Sequence, residues 1–384
     1  MNGNHYTSLN TLDNTQLTNY WRYMLIVGVY YLTPSIQNIY YKPGDQCHYN
    51  LKCSHQFGNI HSFNNIVSNI FYIIFGFIYL VIVKKKTIYT NGIAPSGTLH
   101  CKSLYYSLGI CLIFEGISSS IYHLCPSRIN LQFNTTFMII CILLLSLTIY
   151  NKRHQRRILE PFKFYLLVVF VLTLNILSLG THETAIQRWF WGAIFMFISY
   201  LMIFGSIYVY YGHEYDLNMD SIKILIQKIK TIKNTEMDYP RFILLIIINT
   251  FTLGSCIYAA FSKPDFTGWI LIVSIINMVI YFIYYLVLKY FNGETLYYSI
   301  KISLILNTLC SIASLYFYLK SPTNIFVSID KSNELNTHCV LFNYFDNRDI
   351  WHILSAISIF TFMNIILFID EDLYNSVSEM VGVF

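Results

Sequence analysis

Long runs of apolar residues recur along this chain, with short polar stretches between them. Each run holds roughly 18 to 24 residues, and about 20 apolar residues in a helix cross the hydrocarbon core of a bilayer. Lipid offers no hydrogen-bond partner to a backbone N–H or C=O, so spanning segments of this kind must be helical. The sequence therefore predicts an all-α polytopic membrane protein with about ten transmembrane helices.

The predicted spans form one membrane domain over residues 20–371, with short tails at residues 1–19 and 372–384 and no ectodomain. A mean hydropathy of +0.48 excludes an ordinary soluble domain. The spans are Tyr20–Tyr41, Ser62–Val83, Ser103–His123, Phe133–Tyr150, Phe162–Gly180, Arg188–Tyr211, Phe242–Phe261, Thr267–Leu288, Tyr297–Leu319 and Ile350–Asp370.

The positive charges predict the orientation of the chain. With the N-terminus in the cytosol, seventeen of the 25 Lys and Arg residues fall in cytosolic loops and span ends. This asymmetry follows the positive-inside rule, so both tails are predicted to be cytosolic. The net charge of +5 then arises mainly in cytosolic loops, where anionic lipid is the expected partner.

The same topology sorts the nine cysteines. It places Cys47, Cys53, Cys125 and Cys339 on the exofacial, oxidising side of the membrane. Four cysteines allow two disulfides in three connectivities, and the sequence leaves all three open.

Ionisable residues inside spans are costly in lipid and therefore mark candidate functional sites. In the third span, Glu115, Ser119 and His123 are four residues apart and lie along one face of a helix. His123 ends that helix at the exofacial boundary, where the topology also places Asn134, Asp349 and His352. A polar cluster is expected at this level of the membrane.

Two interpretations of His123 and His352 follow from their chemistry. Neutral imidazoles can hold zinc, and zinc can polarise a water for hydrolysis. Alternatively, the two histidines form an interfacial pair with ordinary hydrogen bonds. In the second span, Asn65, Ser68, Asn69 and Tyr72 share one helix face and favour interhelical hydrogen bonding over a direct functional role.

Four sequence blocks resemble the transmembrane half of the systemic RNA interference defective (SID) transmembrane family. They are YWRYMLIVGVYYLTPSIQ, QCHYNLKCSHQFGNIHSFNNIVSNIFYIIFG, FEGISSSIYHLCPSRINLQFNTTFM and HCVLFNYFDNRDIWHILSA, the last followed by FIDEDL. The resemblance implies kinship with alkaline ceramidases and progestin and adipoQ receptors, whose zinc site combines Ser, three His and Asp. It also implies a plasma-membrane, lysosomal or endosomal location and the capacity to form homodimers.

The resemblance carries over unevenly to the site. Ser119, His123 and His352 match the zinc-site pattern, but Asn134 stands in place of the family's Asp and Arg348 in place of a His. An arginine cannot ligate zinc and an asparagine supplies no anionic oxygen. Asp346 or Asp349 is a candidate substitute ligand, and Arg348 is a candidate ion-pair partner for those acids.

Three functions are consistent with this pattern. By resemblance, the chain takes part in double-stranded RNA transport or uptake. It could instead be a zinc-dependent lipid amide or ester hydrolase, in which Ser119 orients the nucleophile and Glu115 supports the site. The third is a non-catalytic sterol- or lipid-binding protein. The substitutions Asn134 and Arg348 favour a degenerate site, so the prediction leans away from an enzyme.

Overall fold

The structure is a computed structural model that describes residues 19–40, 47–89, 102–128, 130–154, 159–180, 189–201, 239–262 and 264–373. Its helices are α1 (Tyr20–Tyr40), α2 (Phe63–Ser68), α3 (Ile70–Tyr89), α4 (Lys102–Leu124), α5 (Leu131–Arg153), α6 (Pro161–Gly180), α7 (Trp189–Leu201), α8 (Tyr239–Ser262), α9 (Phe266–Phe291), α10 (Tyr298–Leu319), α11 (Ile329–Glu334) and α12 (Asn347–Phe368). The predicted all-α class is confirmed.

Within these ranges, eight helical segments are long and apolar enough to cross a membrane. The first predicted span is helix α1. The sixth is seen as α7, and its predicted continuation to Tyr211 lies outside the described residues, as do residues 1–18 and 374–384 of the predicted tails. The fold is therefore that of a polytopic membrane protein.

The second predicted span is interrupted near its start, between α2 and α3. The side chain of Asn69 donates to the backbone carbonyl of Asn65 at 2.8 Å, and Ser68 donates to the same carbonyl at 2.9 Å. Side chains of this type compete with the helical backbone for its hydrogen bonds, which explains the break. Of the predicted interhelical bonds on this face, the structure shows the one from Tyr72 to Ser355 on α12.

Helices α4 and α5 form the centre of the bundle, with α1 and α3 packed against α4 and with α9 packed against α5. Glycines allow the close approach of α3 to α4. A Cβ placed on Gly76 would lie 2.6 Å from Ile113 Cγ1 and 2.9 Å from the backbone oxygen of Gly109. Small residues serve this purpose in membrane helices, because apolar side chains gain nothing by leaving lipid.

Helix α12 connects the two ends of this bundle. Its 22 residues span about 33 Å, close to the thickness of a bilayer core. Asp349 and His352 lie near its start, Asp370 follows its end, and apolar residues such as Met363 and Ile366 are fully buried between them. We call the end with His123 and His352 the histidine end of the bundle.

Replacing Gly76 with alanine should lower the free energy of unfolding by about 1–3 kcal/mol, because the new methyl group would overlap the backbone of α4. Thermal unfolding of the purified protein in detergent measures this. Gly254→Ala is the control, since nothing lies within 4 Å of its Cβ position. Equal melting temperatures for the wild type and Gly76→Ala would contradict the close packing.

Candidate functional site

The two histidines predicted to meet at one end of the bundle are in contact. His123 Nε2 lies 3.0 Å from His352 Nε2, and both side chains are almost completely buried. The rings are nearly perpendicular, with centroids 5.0 Å apart. At this distance one imidazole donates and the other accepts, which requires the two rings to differ in tautomer.

Acidic residues at the start of α12 are held by two asparagines from the segment that precedes α3. Asn64 donates to Asp349 Oδ2 at 2.8 Å, and Asn50 donates to Asp346 Oδ2 at 3.0 Å. Asp346 is also the N-cap, and it forms a reciprocal capping box with Asp349. These contacts fix the first turn of α12, and His352 lies on the turn that follows.

Two disulfides bind the loops at this end. The structure pairs Cys47 with Cys125 and Cys53 with Cys339, which resolves the three connectivities left open by the sequence. The first ties the 47–62 segment to the end of α4, and the second ties it to the loop before α12. His123 and His352 are therefore supported by covalently linked loops.

Ser119 and Asn134 contact each other. Ser119 Oγ donates to Asn134 Oδ1 at 2.6 Å, and both residues are buried. Glu115 lies deeper on the same helix face and is 1% exposed, and neither of its carboxyl oxygens has a hydrogen-bond partner among the described residues. Within the described ranges, Glu115 thus makes no side-chain hydrogen bond that would support the site.

Arg348 points away from the acids with which it could have paired. Its guanidinium donates to Ser321 Oγ at 2.9 Å and also contacts the hydroxyl of Thr323. Together with His48, His123 and Asp346 it lines a small pocket at the histidine end. A fixed positive charge therefore stands beside the histidine pair.

The fit of zinc to these residues can be tested by geometry. Two imidazoles on a tetrahedral zinc have nitrogens about 3.3–3.4 Å apart, so the observed 3.0 Å requires only a small movement. A third ligand is not in place: within the described ranges, no other His, Cys, Asp or Glu ligand atom lies within 4.8 Å of both nitrogens. The residues present do not complete a three-ligand zinc site.

One set of three potential ligands within the described residues does meet that distance, namely Cys53, His55 and Cys339. Both of its cysteines are joined in a disulfide, so neither offers a thiolate to a metal. These cysteines therefore serve to link the loops covalently and not to bind a metal.

Sequence reasoning missed a second polar site, at the opposite end of the bundle. Asp370 lies 3.0 Å from Arg153, 3.4 Å from Lys152 and 3.4 Å from Lys289. Arg153 also binds both oxygens of Glu294, at 2.8 and 2.6 Å. We call the six residues of this network the charge cluster: Lys152, Arg153, Lys289, Glu294, Asp370 and Asp372.

The charge cluster balances three cations with three anions. Lys289 Nζ is 2.8 Å from Glu294 and 2.7 Å from Asp372, and Tyr285 on the same helix donates to Asp370. Burial raises the pKa of Glu294, but hydrogen bonds from Arg153 and Lys289 outweigh it and lower that pKa below its usual range. The acids of the FIDEDL block were the sequence signal for this site.

His48 gives the histidine end a sensitivity to acid. Burial, followed by the nearby guanidinium of Arg348, lowers the pKa of His48 below its usual value. The folded state thus keeps His48 neutral where the unfolded chain would protonate it. The resulting stabilisation is present above about pH 6.5 and is lost as the pH falls further.

Replacing His48 with glutamine should therefore reduce the loss of thermal stability between pH 7 and pH 5. The measurement is the melting temperature across this range, with His338→Gln as a control at an exposed histidine of the same end. An identical pH profile for the wild type and His48→Gln would show that His48 does not contribute.

The fold and these two sites define a class: a multi-helix integral membrane protein with a disulfide-braced histidine pair at one end and a buried charge cluster at the other. A family model described as dsRNA-gated channel SID-1 matches residues 4–384. The chain therefore belongs to the SID-1 family, as the sequence blocks indicated.

Curated relatives agree with this assignment. The chain is 27% identical over 387 residues to SID1 transmembrane family member 1 of Homo sapiens, covering 95% of this chain and 46% of the relative. It is 26% identical over 392 residues to the Rattus norvegicus protein of the same name, with 95% and 47% covered. For Cholesterol uptake protein 1 of Caenorhabditis elegans the figures are 27% over 386 residues, 94% and 50%. The chain spans about half the length of these relatives.

Proposed function

We propose that this chain serves in the uptake or transport of double-stranded RNA across a membrane and that it does so without hydrolysis. The observation that carries the proposal is the family match over residues 4–384, because it includes both polar ends of the bundle. A plasma-membrane, lysosomal or endosomal location and a homodimeric state, both implied by the family resemblance, are part of the same proposal.

The geometry of the histidine end supports the non-hydrolytic part of the proposal. A metallohydrolase needs about three protein ligands and an open position for water. Here two imidazoles contact each other directly, Ser119 is bonded to Asn134, and Asp349 is held by Asn64. These four groups are thus engaged by neighbours and not arranged around a shared metal position.

Purified wild-type protein is expected to retain little zinc, whereas a double variant, Asn134→Asp with Arg348→His, should bind more. The substitutions add an anionic oxygen and a third imidazole beside His123 and His352. Elemental analysis after exchange into metal-free buffer measures the bound zinc per chain. The double variant with His352→Ala added is the matched control and should lose the gain. About one bound zinc per wild-type chain would contradict the proposal that the histidine end holds no metal.

Uptake of fluorescently labelled double-stranded RNA tests the transport proposal directly. Cells that express the chain should accumulate more internal label than vector-only cells, after surface RNA has been removed by nuclease. Gly254→Ala is a control that should leave uptake unchanged, because its Cβ position is open. Cys53→Ser should reduce uptake, because it removes a disulfide that braces the loops at the histidine end. Uptake equal to vector, with the protein present at the surface, would contradict the proposal.

Sterol or lipid uptake is a second candidate, and the relative named Cholesterol uptake protein 1 favours it. Photoreactive sterol should then label the purified chain, and unlabelled sterol should compete for the same site. Labelling that does not decline with competitor would count against it.

A further inference from the structure

The charge cluster joins parts of the bundle that have no covalent connection at this end. Lys152 and Arg153 end α5, Lys289 lies near the end of α9, and Asp370 and Asp372 follow α12. Glu294 lies in the loop between α9 and α10. The histidine end carries two disulfides, whereas the contacts between these three elements at the opposite end are ion pairs and hydrogen bonds.

An end of a helix bundle that is held by ion pairs differs physically from one that is held by apolar packing. Burying charged groups carries a desolvation cost, and replacing a buried ion pair by apolar residues is often neutral or stabilising. A buried ion pair therefore adds little net stability to the closed state. When the paired ions separate into water, they regain their hydration, which offsets the lost attraction. An end held by ion pairs can open at a smaller net cost than an end held by apolar packing.

The closed arrangement also leaves polar groups unsatisfied beside the cluster. Asn151, which precedes Lys152 and is 2% exposed, has no hydrogen-bond partner for either amide atom among the described residues. A buried polar group without a partner costs about 1–3 kcal/mol, and contact with water would recover that energy.

We propose that the charge cluster is a latch that closes this end of the bundle and parts to admit water during the working cycle of the protein. Parting moves the end of α12 away from α5 and α9 while the disulfides hold the histidine end together. The transport purpose of the latch rests on the proposed function, but the opening itself does not. Its test can therefore be made on purified protein without RNA.

The experiment measures how fast water-soluble reagent reaches a buried position next to the latch. Thr148 on α5 is 2% exposed and lies four residues, about one turn, before Lys152, so Thr148→Cys is a conservative reporter. Purified full-length protein is treated with a small methanethiosulfonate reagent, and mass spectrometry reads the label at each cysteine. Cys256, which is 3% exposed in a separate aromatic cluster, is the internal reference.

Asp370→Asn removes the anion shared by three cations. It should speed labelling at position 148 by about tenfold or more, with no change at Cys256. Glu371→Gln is the matched control, because Glu371 is adjacent, half-exposed and paired with Lys86 outside the cluster, and its labelling rate should equal that of the wild type. Glu294→Gln is the second latch variant if Asp370→Asn does not fold, and it should act in the same direction.

Two outcomes would overturn the latch. An unchanged rate at position 148 would show that the ion pairs do not control access. Equal acceleration at position 148 and Cys256 would show general loss of structure. Selective acceleration in a protein that takes up no double-stranded RNA would preserve the latch and reject the transport proposal.

Discussion

The structure depends on the requirement that every ionisable group carried into lipid by α12 find a partner on a neighbouring helix or loop. Asp349 has Asn64, His352 has His123, and Asp370 has Lys152, Arg153 and Lys289. These partners come from four elements, α2, α4, α5 and α9, so satisfying these groups also assembles the bundle. The middle of α12 then packs mainly through apolar side chains, with Ser355 bonded to Tyr72 and Ser358 bonded to Asn307.

The two ends of the bundle satisfy this requirement by different means. At the histidine end, the contacts are between neutral groups or to the carboxylates of Asp346 and Asp349. Disulfides hold the 47–62 segment, which supplies Asn50 and leads into Asn64 on α2. At the other end, charged side chains pair in a network, and no disulfide joins the residues of the charge cluster. Arg348 adds a positive charge beside the histidine pair, and its guanidinium is bonded to the neutral hydroxyl groups of Ser321 and Thr323.

Topology alone predicted much of this arrangement. Apolar run lengths located the membrane helices, and sidedness brought His123 and His352 to one level, where the structure places them in contact. The disulfide pairing could not be predicted, because it depends on how the 47–62 loop folds over the bundle. Lys152 and Arg153 were expected to face anionic lipid. They are buried because Asp370 and Glu294 approach them from distant parts of the sequence. Counting the Lys and Arg residues of each loop gives no information on such contacts.

The central claim is that His123 and His352 bind each other and not a metal. An experimental density map of the protein, prepared in zinc-containing buffer, tests it most directly. A direct hydrogen bond places the two nitrogens about 3 Å apart with no density between them. A peak about 2.0–2.1 Å from both nitrogens, with a third ligand from Asp346, Asp349 or elsewhere, would contradict it.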